Sequence, residues 1–280
     1  MTAIPTISST PEGVSIEPRN RRFELEAALG SDWFDNDPFH TAIFNAFSIS
    51  FPSGEKEFMD TVRHFEGQIK DEKLLTEVRG FYQQEGIHTR EHLRYNRMLC
   101  KARGYNLEHL ERPFTQLMER MRSDPRATPE VRLAATVGLE HFTAGFAEVL
   151  LKTSYLDKAD PKLRELWQWH SLEEMEHKAV AFDVFQAVCG DTKMRKRVLR
   201  IAFLMLVRRI VTVTMRMLAH DKQLWKWKTL KSAATFFFSK TGFVRQYLPH
   251  HREFFKDAFH PWNTDTRDLM ETWKPRLEAA

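Results

Sequence analysis

Apolar residues recur at helical spacing along most of the chain, whereas alternating runs rich in Val, Ile and Thr are scarce. One clear stripe follows Ser53 and consists of Phe58, Val62, Phe65 and Ile69. Spacings of three and four residues place such side chains on one face of an α-helix. The pattern therefore predicts an all-α protein.

Capping residues and helix breakers set the predicted helix boundaries. Ser53 precedes acidic residues that suit the first turn of a helix. Gly104 and Gly190 are typical of helix ends, and Pro129 and Pro161 are typical of first turns. The predicted helices cover residues 53–70, 71–102, 106–122, 129–152 and 161–189.

Composition divides the chain into three parts. Residues 1–30 hold three prolines and no apolar run of the kind a signal peptide needs, so we predict a flexible N-terminal tail. Residues 31–190 form the predicted helical body, and residues 191–280 form a basic, aromatic-rich C-terminal extension. The two cysteines form no CxxC pair, which argues against a disulfide framework and indicates a cytoplasmic location.

The extension is strongly basic, since residues 193–280 have a net charge of +12 whereas residues 1–192 have a net charge of −8. Residues 198–218 are strongly apolar, but an arginine pair near their centre argues against a membrane span and favours an amphipathic helix. Basic and aromatic residues across 193–243 suit either of two roles, which are peripheral contact with the inner membrane and packing on the helical body. No nucleic-acid-binding motif is present, so no nucleic-acid partner is expected.

Two Glu-x-x-His pairs carry the candidate chemistry. They are Glu85 with His88 and Glu174 with His177, and a spacing of three residues places both members of a pair on one helix face. Each pair follows a glutamate on an earlier helix, Glu55 in the first case and Glu140 in the second. The alternative is that these residues are ordinary charges on exposed helix surfaces.

This repeated pattern is the ligand set of a ferritin-like four-helix bundle, in which two helices give one Glu each and two give Glu-x-x-His pairs. It predicts a ferritin-like bundle that binds two metal ions, with iron expected and manganese or zinc as alternatives. His170 shares a stripe with Glu174 and His177 and is a seventh candidate ligand. His92 and Glu148 are candidates for supporting positions around the ligands. The weaker candidates are Glu57 as a rival to Glu55, His141, and the histidines His250, His251 and His260, whereas Asp183 is expected to be an ordinary surface residue.

Several motifs together resemble a bacterial family labelled predicted metal-dependent hydrolase, over about residues 30–275. The motifs are Phe51-Pro52-Ser53-Gly54-Glu55, Glu85 to His88, Gly138-Leu139-Glu140-His141, Trp169-His170 with Glu174 and His177, and Phe259-His260-Pro261-Trp262. The helix with His170, Glu174 and His177 also resembles the p-aminobenzoate N-oxygenase group of di-iron oxygenases. That second likeness covers only the ligand motifs.

The ligand set favours a di-iron oxidase or oxygenase that uses O2 to oxidise an apolar or aromatic small molecule. The alternative is a dimetal hydrolase that uses a metal-bound hydroxide, as the family label implies. Oxidation would need electrons from a partner protein or from the substrate, because no flavin, nicotinamide or iron–sulfur motif is present. We expect a lipophilic substrate that enters between the helices. Apolar residues such as Phe81, Leu93, Met98 and Phe142 either line its channel or, as is more usual for such side chains, belong to the core. The working unit is one chain or a homodimer.

Overall fold

The computed structural model describes residues 8–278, and its regular structure is helical. Eleven α-helices follow one another in the described residues: α1 Glu26–Leu29, α2 Pro38–Phe65, α3 Glu72–Arg103, α4 Leu107–Ser123, α5 Pro129–Lys152, α6 Pro161–His177, α7 Val180–Val188, α8 Thr192–His220, α9 Trp227–Phe238, α10 Phe243–Glu253 and α11 Arg267–Glu278. The prediction of an all-α protein is confirmed.

Most predicted helix ends are found where the capping residues place them. The Asp71 carboxylate accepts a hydrogen bond from the backbone N–H of Leu74 at 3.0 Å and starts α3. Gly104 ends that helix with a φ of 71°, a conformation that favours glycine because it lacks a Cβ. The side chain of Asn106 accepts from the N–H of His109 at 2.9 Å and starts α4. Local sequence thus determines these boundaries.

Two boundaries differ from the prediction. The second helix begins at Pro38 and not at Ser53, because Asp37 caps it by accepting from the N–H groups of Phe39 and His40. Pro52 lies inside this helix, and the Ser53 hydroxyl donates to the Ser50 carbonyl. The predicted helix over residues 161–189 is divided into α6 and α7 by two turn residues directly after His177.

Four long helices, α2, α3, α5 and α6, pack side by side, and the C-terminal helices cover them. Helix α8 packs on α2 and α5, α9 packs on α2, α10 packs on α5, and α11 packs on α6. The amphipathic helix predicted at 198–218 is therefore present within α8, whose Leu199, Val213 and Met217 are buried. The narrower assignment to a ferritin-like bundle stays a prediction.

Residues 8–30 lie against the helices and are not a loose tail. Phe23, Leu25 and Leu29 are buried, and the hydroxyl of Ser8 donates to the buried Glu77 carboxylate at 2.7 Å. Ser9 donates from its backbone N–H and its hydroxyl to Asp183. Prolines in this segment suit an extended chain that still buries apolar side chains, so the predicted tail is wrong for residues 8–30; its first seven residues lie outside the described part.

Among the described helices, not one combines the length and the apolar character that crossing a membrane requires.

Candidate metal centre

Seven buried side chains converge between the four long helices. They are Glu55 of α2, Glu85 and His88 of α3, Glu140 of α5, and His170, Glu174 and His177 of α6. Each is at most 4 % exposed. These are the seven residues that the sequence predicts as metal ligands, and the structure brings all of them together.

Their donor atoms form three overlapping groups in which all atoms lie within 4.8 Å of one another. The groups are Glu55 with His88 and His170, Glu85 with Glu140 and His177, and Glu85 with His88 and Glu174. The first two groups share no residue. This arrangement suits two ions, each bound by carboxylate and imidazole donors.

Two glutamates lie between the two groups. One oxygen of Glu174 is 3.0 Å from His170 Nε2, and its other oxygen is 3.7 Å from His177 Nε2. The oxygens of Glu85 divide in the same way, at 3.2 Å from His177 Nε2 and 3.9 Å from His88 Nδ1. Glu85 and Glu174 therefore lie between the two groups and would be available to both ions.

The centre leaves many polar atoms without partners. Eight buried atoms of these side chains make no hydrogen bond within the described part of the chain: Glu55 Oε1, both oxygens of Glu85, His88 Nδ1, both oxygens of Glu140, Glu174 Oε2 and His177 Nε2. A buried polar group without a partner costs about 1–3 kcal/mol, and more when it is charged. Metal ions bound by these atoms would remove that cost, so the residues fit the metal that the sequence predicts.

Two of the four glutamates, Glu55 and Glu140, have raised pKa values. Burial, together with the charge of nearby Glu85, raises the pKa of Glu55 well above its usual range. Burial raises the pKa of Glu140 in the same direction, assisted by Glu85 and Glu174 and opposed by His177. Carboxyl groups held this way release their protons readily only when a positive charge is bound beside them.

Two of the three histidines are oriented by hydrogen bonds to the ring nitrogen that points away from the centre. His88 Nε2 lies 3.0 Å from a carboxylate oxygen of Glu173, so its Nδ1 faces inward. His177 Nδ1 donates to the amide oxygen of Gln84 at 2.8 Å, and its Nε2 faces inward. Gln84 is held in that orientation because its NH2 group donates to Glu176. Such outer partners fix the tautomer of a metal-binding imidazole.

The third histidine is oriented by a longer hydrogen-bond chain. Asn96 donates from its NH2 group to the Ser48 carbonyl at 3.0 Å, and its amide oxygen accepts from the Ser48 hydroxyl at 2.7 Å. The hydroxyl has one proton, so it accepts from His92 Nδ1 at 2.9 Å. His92 Nε2 then accepts from His170 Nδ1 at 3.0 Å, which leaves an unprotonated Nε2 on His170 facing the centre. His92 thus lies directly behind His170, in the supporting position that the sequence predicts.

Sequence reasoning missed a second layer of buried acids. Glu173 and Glu176 are both at most 1 % exposed, and the guanidinium of Arg19 lies 3.4 Å from the first and 2.8 Å from the second. Trp169 also donates to Glu173 at 3.1 Å. The cluster of acids Glu173, Glu174 and Glu176 in one turn of a helix is the signal that could have identified them, since a buried helix cannot hold so many without partners.

Several weaker candidates lie elsewhere. The prediction that Glu148 supports the ligands is wrong. It lies two helical turns beyond Glu140, and its carboxylate group is 3.4 Å from Lys152 and 3.7 Å from His250. Glu57 faces away from the centre and binds Arg122 and Arg132.

The remaining histidines and Asp183 also have other partners. His141 lies 2.7 Å from the backbone carbonyl of His250, and His251 packs on Phe203. His260 lies 3.9 Å from a carboxylate oxygen of Asp183. The prediction that Asp183 is a surface residue is wrong, since it is 3 % exposed and accepts a hydrogen bond from Ser9.

A narrow apolar cavity reaches the centre at Glu55 and Glu174. Its walls come mainly from α2, α4, α5 and α8 and are formed largely by Phe47, Phe51, Phe58, Phe114, Leu117, Met118, Met121, Leu139, Phe142, Met205 and Leu206. Of the four residues expected to line a channel, Phe142 does so; Phe81 instead packs against His177, and neither Leu93 nor Met98 is part of this wall. The cavity suits an apolar molecule with its reactive group at the two glutamates.

Comparison with known proteins adds a family to this geometry. No curated protein matches the chain, and no solved structure matches it. Residues 17–265 match the family described as predicted metal-dependent hydrolase, and this region includes all seven residues of the centre. The resemblance found in the sequence is thereby confirmed, and the chain belongs to the family of predicted metal-dependent hydrolases.

Proposed function

We propose that this chain is a metal-dependent enzyme with a dinuclear centre that acts on an apolar small molecule. The observation that carries the proposal is the convergence of seven buried carboxylate and imidazole side chains with eight unpartnered polar atoms. Family membership supports metal dependence independently. Each ion would be held by one outer group of donors, with Glu85 and Glu174 between the two ions.

The family description supports hydrolysis as the reaction. Bound metal ions would polarise a carbonyl or phosphoryl group and lower the pKa of a water molecule. The protein's own contribution is to fix the donor atoms, through Gln84, Glu173 and His92, and to hold the substrate in a dry cavity beside Glu55 and Glu174. Preorganised groups of this kind need little rearrangement during the reaction.

Oxidation with O2 is the second candidate, and the donor set is the observation that favours it. A catalytic zinc site usually has three protein ligands, whereas four glutamates and three histidines converge here. This larger donor set suits iron or manganese better than zinc. A largely apolar cavity also suits a substrate without a hydrolysable polar group. This reaction would require O2 and a source of electrons, and the family description supports it less well than hydrolysis.

Metal analysis followed by two activity assays tests the proposal. The protein is purified without chelators or a metal-binding tag, and we expect about two metal ions per chain by elemental analysis. Protein loaded separately with Zn2+, Mn2+ and anaerobic Fe2+ is then assayed on p-nitrophenyl esters of increasing acyl length and for O2 consumption.

Ester cleavage without O2 would support hydrolysis, whereas O2 consumption by the iron form alone would support oxidation. Protein that is folded but binds less than one ion per chain in all three loadings would overturn the dinuclear proposal.

A further inference from the structure

The strongly exposed large apolar side chains of the described chain all fall within residues 201–238. They are Ile201, Leu204, Met215, Trp225, Trp227, Leu230 and Phe238, and three of them, Trp225, Trp227 and Phe238, are between 78 % and 83 % exposed. Single exposed apolar residues are normal on protein surfaces, but a concentration in one segment marks an interaction site. We call these seven residues, with the lysines between them, the apolar basic face.

Helix α9 shows that this exposure follows the helix geometry. Trp227, Leu230, Lys231 and Phe238 fall on one stripe at helical spacing, and all four are exposed. The opposite stripe, Thr229, Ser232 and Phe236, is buried against the rest of the protein. The helix therefore buries Phe236 with two small polar residues and leaves Trp227, Leu230 and Phe238 exposed, whereas a surface helix usually turns its large apolar side chains inward.

Helix α8 repeats the arrangement. Ile201, Leu204, Arg208 and Met215 lie on one stripe, and each is exposed. The other side of the same helix faces the protein, where Leu206 lines the apolar cavity and Ile210 and Val213 are buried. An apolar stripe with a basic residue in it thus faces outward from two successive helices.

The charge of this segment is strongly positive. Residues 193–240 hold 13 lysines and arginines and one acid, Asp221. Asp221 is already bound to Arg103 at 2.6 Å. Lys222, Lys226 and Lys231 are exposed, and none of them makes an ion pair with another described residue. Free positive charge therefore accompanies the exposed rings along the chain, as Lys226 does between Trp225 and Trp227, and suits an anionic partner.

We propose that the apolar basic face binds the surface of an anionic lipid bilayer, with its rings and aliphatic side chains at the level of the headgroups. Tryptophan and lysine together are typical of such surfaces, where rings enter the interface and ammonium groups meet lipid phosphates. Nucleic acid would also attract the charge, but Ile201, Leu204 and Leu230 have no ring on which a base could stack. Attachment is peripheral.

Vesicle sedimentation tests the proposal with the full chain. We expect binding to vesicles that mix phosphatidylcholine with anionic phosphatidylglycerol, and at least tenfold weaker binding to vesicles of phosphatidylcholine alone. We expect the double variant Lys226→Glu with Lys231→Glu to bind at least about tenfold more weakly, since each charge near the surface contributes about 1 kcal/mol. We expect a similar loss for Trp225→Ala with Trp227→Ala, because two rings no longer enter the interface. Lys101→Glu, an exposed lysine of α3, is the control and should bind like the unmodified protein.

Circular dichroism and metal content check that each variant is folded, so that a failure here is separate from a failure of the proposed function. Equal binding by the charge variants, or no binding by the folded unmodified protein, would overturn the proposal. Binding to single-stranded DNA without binding to vesicles, or a dimer that only the tryptophan variant loses, would assign the face to a different partner and also overturn it.

Discussion

Replacing Glu140 with glutamine should stabilise the metal-free protein while it weakens metal binding. Glu140 is 2 % exposed, and neither of its oxygens has a hydrogen-bond partner among residues 8–278. Burial first, and then the neighbouring acids, raise its pKa well above the usual range. Without metal, the carboxyl group is therefore a cost to the folded state, and an amide of nearly the same shape removes its charge.

The size and pH dependence of the effect follow from that burial. The glutamine amide is as buried as the carboxyl group, so the gain comes from the removed charge alone. A pKa shift of one unit corresponds to about 1.4 kcal/mol, and we expect a gain of about 1–2 kcal/mol in the unfolding free energy of the metal-free variant. Because the folded-state pKa is raised, wild-type stability falls as pH rises from the ordinary glutamate range through that pKa. The gain should therefore be larger at pH 8 than at pH 5, at roughly 2–4 °C in Tm per kcal/mol.

Thermal unfolding of chelator-treated protein at both pH values, followed by titration with Mn2+, measures both effects. Glu57→Gln is the matched control, because Glu57 is as deeply buried but binds Arg122 at 3.0 Å and Arg132 at 2.7 Å. The substitution removes the ion-pair partner of Arg132 and one of the two partners of Arg122, which keeps Asp60 at 3.3 Å, and should destabilise the protein with or without metal. If Glu140→Gln lowers the Tm of the metal-free protein as Glu57→Gln does, the reasoning about unpartnered acids is refuted.

Three further predictions concern ligation, orientation and pH. His177→Ala should reduce bound metal to about one ion per chain or fewer, while Glu148→Gln keeps the wild-type content; equal losses by elemental analysis would contradict the ligand assignment. Asn96→Leu should weaken metal binding by about 10–100-fold in competition with a chelating dye, because it frees the tautomer of His170, and an unchanged affinity would count against that hydrogen-bond chain. Burial raises the pKa of Asp183 to about 6, so its carboxyl group favours the folded state when protonated, and that contribution of about 3 kcal/mol is lost as pH rises from about 4 to 6. The unfolding free energy of Asp183→Asn, measured with urea across this pH range, should fall less than that of the wild type. An equal fall in both proteins would contradict the prediction.

The helices and the seven converging residues could be predicted because their signals are local. A Glu-x-x-His pair needs only helical spacing to bring its members to one face, and caps such as Asp71 act within three residues. The start of α2 was not predictable from Ser53, since Asp37 caps the helix from further upstream and Pro52 does not break it. The packed segment at 8–30 depends on partners such as Glu173 and Asp183, more than 150 positions away, and no local pattern reports them.

Pro52 shows why the residues that orient the ligands could not be predicted from the sequence alone. A proline has no N–H, so the Ser48 carbonyl four residues earlier loses its usual helical donor. The structure supplies one from the next helix, since Asn96 donates to that carbonyl at 3.0 Å. The same contact fixes the Asn96 amide, and the Ser48 hydroxyl and His92 then set the tautomer of His170. A residue that looks in the sequence like a helix breaker thus orients a nitrogen of the centre, through a carbonyl that it deprives of its helical donor.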